Sequence, residues 1–178
     1  MREGSSTEIE FKDTPAEGLQ ALIDSCYSAK LRLTEENVAD VLAAAHLLLF
    51  TKVVEKCAEF FLKRLKPHNC LGIHTLANQF NLAALSEAAS ELIAQDYLEV
   101  SKSDEFHHLA SGQLIEVLAR DDLKVASEND VVMSAISWVE IDKASRAKFL
   151  PHLLKHIRFL HLKPEVRFSR IIFTRKVG

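Results

Sequence analysis

Glycine and proline are scarce, at five and four residues in a chain of 178. A sandwich or barrel of short strands needs many more turn residues, so long helices joined by short connections are favoured. Cysteine is scarcer still. Cys26, Cys57 and Cys70 stand far apart and match neither CxxC spacing nor a secreted disulfide framework, which points to a reducing, intracellular compartment. No stretch approaches the ~18 apolar residues of a membrane span. The opening MREGSSTEIE carries charge where a signal peptide needs an apolar core. The expectation is a chain that is neither secreted nor membrane-spanning, with the cytoplasm as its location. Net charge is only −3, from 22 basic and 25 acidic residues, too balanced for whole-surface attraction to nucleic acid or anionic lipid.

Reaction-bearing motifs are also missing. There is no G-x-G-x-x-G, Walker-type loop or G-x-S-x-G elbow, and five glycines leave little room for a phosphate cradle. His152 and His156 are one helical turn apart, with His161 beyond them, but no Glu follows His152 as a metalloprotease helix requires. The adjacent His107 and His108 point to different sides of a helix. Cys26 and Cys57 fall on apolar helix faces and read as core residues rather than nucleophiles. The expectation is therefore no catalytic residue, no metal and no cofactor; a metal hydrolase is the enzyme-class alternative.

What is present is an ordinary globular balance, 48% hydrophobic and 26% charged, arranged with helical period. One short element differs: Glu8 to Lys12 reads EIEFK, where Ile9 and Phe11 alternate with charges as in a half-buried strand. Helices follow. Thr14 and Glu17 stand at capping-box spacing with Pro15 in the first turn, and Leu19, Leu22, Ile23, Cys26 and Tyr27 form an apolar stripe. Thr34 caps the next helix, whose buried face holds Val38, Val41, Leu42, Ala45, Leu48 and Leu49. A third runs from about Thr51 to Leu65 through Val53, Val54, Cys57, Phe60 and Phe61, until Pro67 ends it. Asn69 caps a fourth through Ile73, Leu76, Ala77 and Phe80, and a fifth spans about Ala83 to Val100.

Beyond it, Phe106 and Leu109 precede Leu114, Ile115 and Leu118. Ser127 caps a helix carrying Val131, Val132, Ala135, Trp138 and Val139. A last helical stretch spans about Ala144 to Phe159, divided or kinked at Pro151. The tail from Lys163 onward holds five basic residues and one acid and reads as a separate segment. The fold class is mainly α, with one short N-terminal strand. A stack of amphipathic helices without a reaction centre suits an interaction module.

Three stretches resemble the kelch-like adaptors. LTEENVADVLAAAHLLL at Leu33 to Leu49 is similar to the helix after the last β-segment of their BTB domain. VVEKCAEFFLKRL leads into PHNCLGI at Pro67 to Ile73, like the family's junction from BTB into BACK. DDLKVASENDVVMSAISWVEID at Asp121 to Asp142 resembles a BACK signature, followed by Arg146, Leu153 and Leu154. The resemblance implies residues 1–66 as the C-terminal part of a BTB domain, 67–163 as a BACK domain of helical hairpins with 67–100 resembling the three-box, and 164–178 as a divergent basic tail.

It further implies a substrate-adaptor subunit, or fragment, of a cullin-3 RING ubiquitin ligase, with the cullin-3 N-terminal domain as partner. Met1-Arg2-Glu3 stands at the family's apolar-x-Glu cullin contact, Tyr27 and His46 sit near the cullin-facing surface, and Asn69 and Phe80 bound the first three-box helix. Tyr27 and Phe80 read equally as core residues. The first part of the BTB domain, with its dimerisation elements, and the kelch propeller are expected to be absent, which weakens homodimerisation and removes the substrate receptor. An oligomerisation or cytoskeleton-associated scaffold that does not engage a cullin is the alternative. A BTB transcription factor is disfavoured, since no zinc-finger spacing occurs.

Overall fold

The computed structural model of the chain describes residues 15–28 and 30–157. The expected strand at Glu8 to Lys12, Met1, Glu3, His161 and the basic tail lie outside them. The described residues are mainly α-helical and contain no strand. They fall into two compact units, one of the described residues up to 64 with 79–82, the other of 65–78 with 83–157.

In the first unit, α1 (Ala16–Ser28), α2 (Val38–Leu47) and α3 (Thr51–Arg64) pack in succession. Thr34 and Asn37 close the turn ahead of α2 reciprocally, the Asn37 N–H donating to Thr34 Oγ1 at 3.3 Å and the Thr34 N–H to Asn37 Oδ1 at 2.9 Å; the expected Thr34 cap thus falls on this turn, and the N-cap of α2 is Asn37, without a side-chain cap bond. The core centres on Leu22, Ala44 and Ala45, with Leu19, Leu48, Val53 and Val54 packed against it. Small residues set this spacing. Gly18 is buried, and a Cβ there would overlap the Asp40 carbonyl and lie 2.8 Å from the Val41 nitrogen.

That contact rotates α1 away from its expected orientation. Gly18 and Leu22 face inward, while Ile23, Cys26 and Tyr27 are exposed. Cys26 is thus not a core residue, and neither is Tyr27. Leu49 is a second correction: α2 ends at Leu47, and Leu49 adopts φ 60° with 82% of its surface exposed.

In the second unit, α4 (Cys70–Gln79), α5 (Ala83–Gln95), α6 (Tyr97–Val100), α7 (Asp104–His108), α8 (Ser111–Leu118), α9 (Glu128–Ile141), α10 (Lys143–Arg146) and α11 (Leu150–Lys155) surround one large core. The expected helix from Ala83 to Val100 is two pieces, since Asp96 leaves helical geometry at ψ 33°. Tyr97 beyond the break is fully buried and hydrogen-bonds Ser134. Ser127 caps α9 as expected, accepting the Asn129 N–H at 3.2 Å.

The expected division near Pro151 is present. A 3-10 turn at Ala147–Phe149 precedes α11, and Pro151 sits in its first turn, where a missing N–H costs nothing. Trp138 is buried, its Nε1–H donating to the Leu109 carbonyl at 3.0 Å. Arg146 lies over that indole at 4.3 Å and donates to the His107 and Trp138 carbonyls, each at 2.9 Å. One guanidinium therefore ties α7, α9 and α10 together.

Candidate interaction surface

Among the described residues, the first unit carries most of the exposed large apolar side chains: Ile23, Tyr27, Leu47, Leu49, Phe50 and Leu62. Three of them fall in the four positions that end α2 and open α3. The run HLLLF is wider than one helix face can bury. The chain bends at Leu49 into the left-handed region, unusual for a residue with a branched side chain. The Phe50 N–H donates to the Ala45 carbonyl at 2.8 Å, closing the corner. Strain of about 1–2 kcal/mol is thus spent on a turn that projects Leu49 into solvent.

His46 stands beside this corner. Its ring meets Phe80 edge-on, with centroids 5.2 Å apart, and Phe80 is half-buried. The fold therefore brings together two of the residues expected to form a partner contact. Tyr27 is 91% exposed near the end of α1, available to a partner rather than to the core.

Asn69 belongs to the second unit, where its Oδ1 accepts the Lys66 N–H at 2.8 Å and its carbonyl accepts the Ile73 N–H at 3.1 Å. Both bonds shape the turn that starts α4. Leu47, Leu49 and Phe50 were missed by the sequence reading, which put Leu49 on the buried face of α2. The available signal was the unbroken apolar run itself.

Charge at the first unit's surface is modest. Arg64 lies 3.8 Å over the Phe60 ring and 3.3 Å from Glu35, an exposed pair of small energetic weight. The Thr34 hydroxyl holds the Glu36 carboxyl below the usual range. The two buried thiols are pushed up by burial, Cys57 to about 11 and Cys70 to about 12. His152 and His156 stack edge-on at 5.5 Å, but no group of three or more His, Cys, Asp or Glu among the described residues is placed to hold a metal ion. No described helix is long and apolar enough to cross a membrane.

Comparison with known families gives two matches. Residues 1–65 match the BTB/POZ domain, and residues 70–171 match BACK, described as BTB And C-terminal Kelch.

Proposed function

The chain belongs to the BTB–BACK family, and from that premise we propose that it is a protein-interaction subunit that recruits the cullin-3 N-terminal domain as a substrate adaptor of a cullin-3 ubiquitin ligase. The family's role as an interaction module supports the coarse part of this reading. The observation that carries the finer part is the α2–α3 corner, where a strained turn exposes Leu49 beside Leu47, Phe50 and the His46–Phe80 pair. An apolar knob with an aromatic neighbour is the usual composition of an interface anchor, because burying it releases water without leaving a charge unpaired.

In this reading Tyr27, His46 and Phe80 contact the cullin from the first unit, Asn69 from the second, and Met1 and Glu3 add an apolar and an anionic contact. The protein works in the cytoplasm, supplies no reaction of its own, and self-associates only weakly. Calorimetric titration with the cullin-3 N-terminal domain tests it. The wild-type chain binds, and Leu49→Asp with His46→Asp weakens binding by tenfold or more, about 1.4 kcal/mol. Changing Met1 and Glu3 to Ala behind a short leader has a comparable effect. If the wild-type chain fails to bind, the cullin assignment is wrong; self-association in light scattering would then favour a scaffold.

A further inference from the structure

The connection from α2 to α3 is made without a turn-forming residue. Leu48, Leu49 and Phe50 carry the chain from Leu47 to Thr51, and no Gly, Pro, Asn, Asp or Ser stands among them. Leu49 takes φ 60° all the same. Among the described residues the other non-glycine with positive φ is Asn81, a type that tolerates the left-handed region through local hydrogen bonds of its side chain. A leucine has no such bond to offset the strain.

Helical geometry is open to this whole stretch. Leucine is a strong helix former, and α2 and α3 contain neither glycine nor proline, so straightening Leu49 would join them into one helix from Val38 to Arg64, about 40 Å long. The backbone loses no hydrogen bond in doing so. At the corner the Leu49 N–H donates to the His46 carbonyl at 3.2 Å, the Phe50 N–H to Ala45 at 2.8 Å and the Thr51 N–H to Leu49 at 3.0 Å. In the straight form the same three N–H groups would reach the carbonyls of Ala45, His46 and Leu47. Leu49, now 82% exposed, would stand in line with Leu42 and Ala45, which are fully buried, and with Val53, which packs on the core. A straight helix cannot, however, keep α3 against α1 and α2 of its own chain. The core of Leu22, Ala44 and Ala45 would lose Val53 and Val54, and the Glu35–Arg64 pair at 3.3 Å would open. A second copy in the same state supplies each of these contacts.

We propose that the α2–α3 corner is a hinge for exchange between two copies of the chain, each straightening at Leu49 and laying its α3 on α1 and α2 of the other. The contacts of the closed form are remade across the pair, and the strain at Leu49 is released once in each chain. Short connections under strain favour such an exchange. What opposes it is the freedom lost on association, so the exchanged dimer gains on the monomer as concentration rises. It forms slowly, because α3 must first leave its own core. The proposal does not rest on the cullin reading and is measured on the chain alone, so a failed cullin titration leaves it untouched.

The full chain is refolded from urea at about 1 mM and at about 10 µM, brought to one concentration and sized by light scattering. The expected result is a dimer from the concentrated sample that outlasts the dilution. Connectivity is read on a variant with Glu35→Cys, Arg64→Cys and Cys26→Ser, treated with a short bismaleimide. Positions 35 and 64 are exposed, while the native Cys57 and Cys70 are buried and spared. In the dimer fraction the linker should join two chains on a denaturing gel, and in the monomer fraction it should stay within one. Leu49→Gly accepts φ 60° without strain and disfavours the straight helix, so it should lower the dimer's association constant by about tenfold or more. Leu49→Ala keeps the strain and the helix propensity and should keep the dimer. Absence of a dimer at the higher concentration overturns the proposal. So does a dimer whose links stay within one chain, which would mark two closed copies touching through exposed faces, or an equal loss of the dimer in the Gly and Ala variants.

Discussion

Glu105 occupies the space left by the missing side chain of Gly72. Its Oε2 accepts the N–H groups of Leu71 and Gly72, both at 3.1 Å, and a Cβ on Gly72 would lie 2.5 Å from Oε1. The carboxylate thus caps α4 from a helix more than 30 residues later, satisfying two of the free amides and meeting the positive end of the helix dipole.

Removing that carboxylate leaves two amides of α4 without their acceptor. Glu105→Ala is expected to cost about 1–2 kcal/mol, read as a lower urea midpoint at unchanged slope. Glu105→Gln keeps one acceptor oxygen and loses less. An unchanged midpoint for the Ala variant would mean that water replaces the cap without penalty.

Gly18 gives a prediction whose sign opposes helix propensity. In a free helix, Gly→Ala gains about 1 kcal/mol. Here the new Cβ meets the Asp40 carbonyl, a backbone atom that cannot rotate aside, so α1 and α2 must part. Gly18→Ala should therefore destabilise the chain by about 1–3 kcal/mol, while an isolated peptide of residues 16–28 becomes more helical by circular dichroism. A more stable Gly18→Ala protein would refute the close approach.

These two glycines also mark where the sequence was readable. Local rules found the helices: Ser127 caps as its spacing implied, and the face carrying Val131, Val132, Ala135, Trp138 and Val139 is buried as its period required. Orientation was harder. Of the stripe of Leu19, Leu22, Ile23, Cys26 and Tyr27, only Leu19 and Leu22 pack into the core, because Gly18 beside them permits a closer approach to α2 than Ile23, Cys26 and Tyr27 would. Leu49 was misplaced because helical period carries no record of a left-handed turn. The Glu105 cap and the Arg120–Ser90 bond join residues at least 30 apart, which local patterns cannot pair. Of the expected partner residues, His46 and Phe80 are brought into contact.

Acid should weaken the second unit in two separate ranges. Burial, with Arg120 nearby, lowers the His74 pKa below the usual 6.5. The unfolded chain then takes up that proton first, so stability falls as pH drops below 6.5. Hydrogen bonds from Arg120 lower the Asp122 pKa below 3.8, so its contribution is present above that value and lost only as pH falls through the folded pKa. Urea midpoints at about pH 7.5 and about pH 5.5 should differ in the wild type and differ less in His74→Gln. An identical difference in both proteins would remove His74 from the account.

Thiol labelling separates the three cysteines by burial. Cys57 and Cys70 are fully buried, with pKa values pushed up to about 11 and about 12, whereas Cys26 is exposed. Alkylation depends on both access and the thiolate, and near neutral pH the two buried groups offer neither. Native protein treated with iodoacetamide should thus gain a single adduct, located at Cys26 by peptide mass mapping, and urea should release the other two. The rates carry a further distinction. Cys57 lies on α3 in the first unit and Cys70 opens α4 in the second, so unequal urea concentrations for their exposure would show that the units open separately. Coincident exposure would show one cooperative transition instead, and rapid labelling of Cys57 without denaturant would contradict the packing of α3.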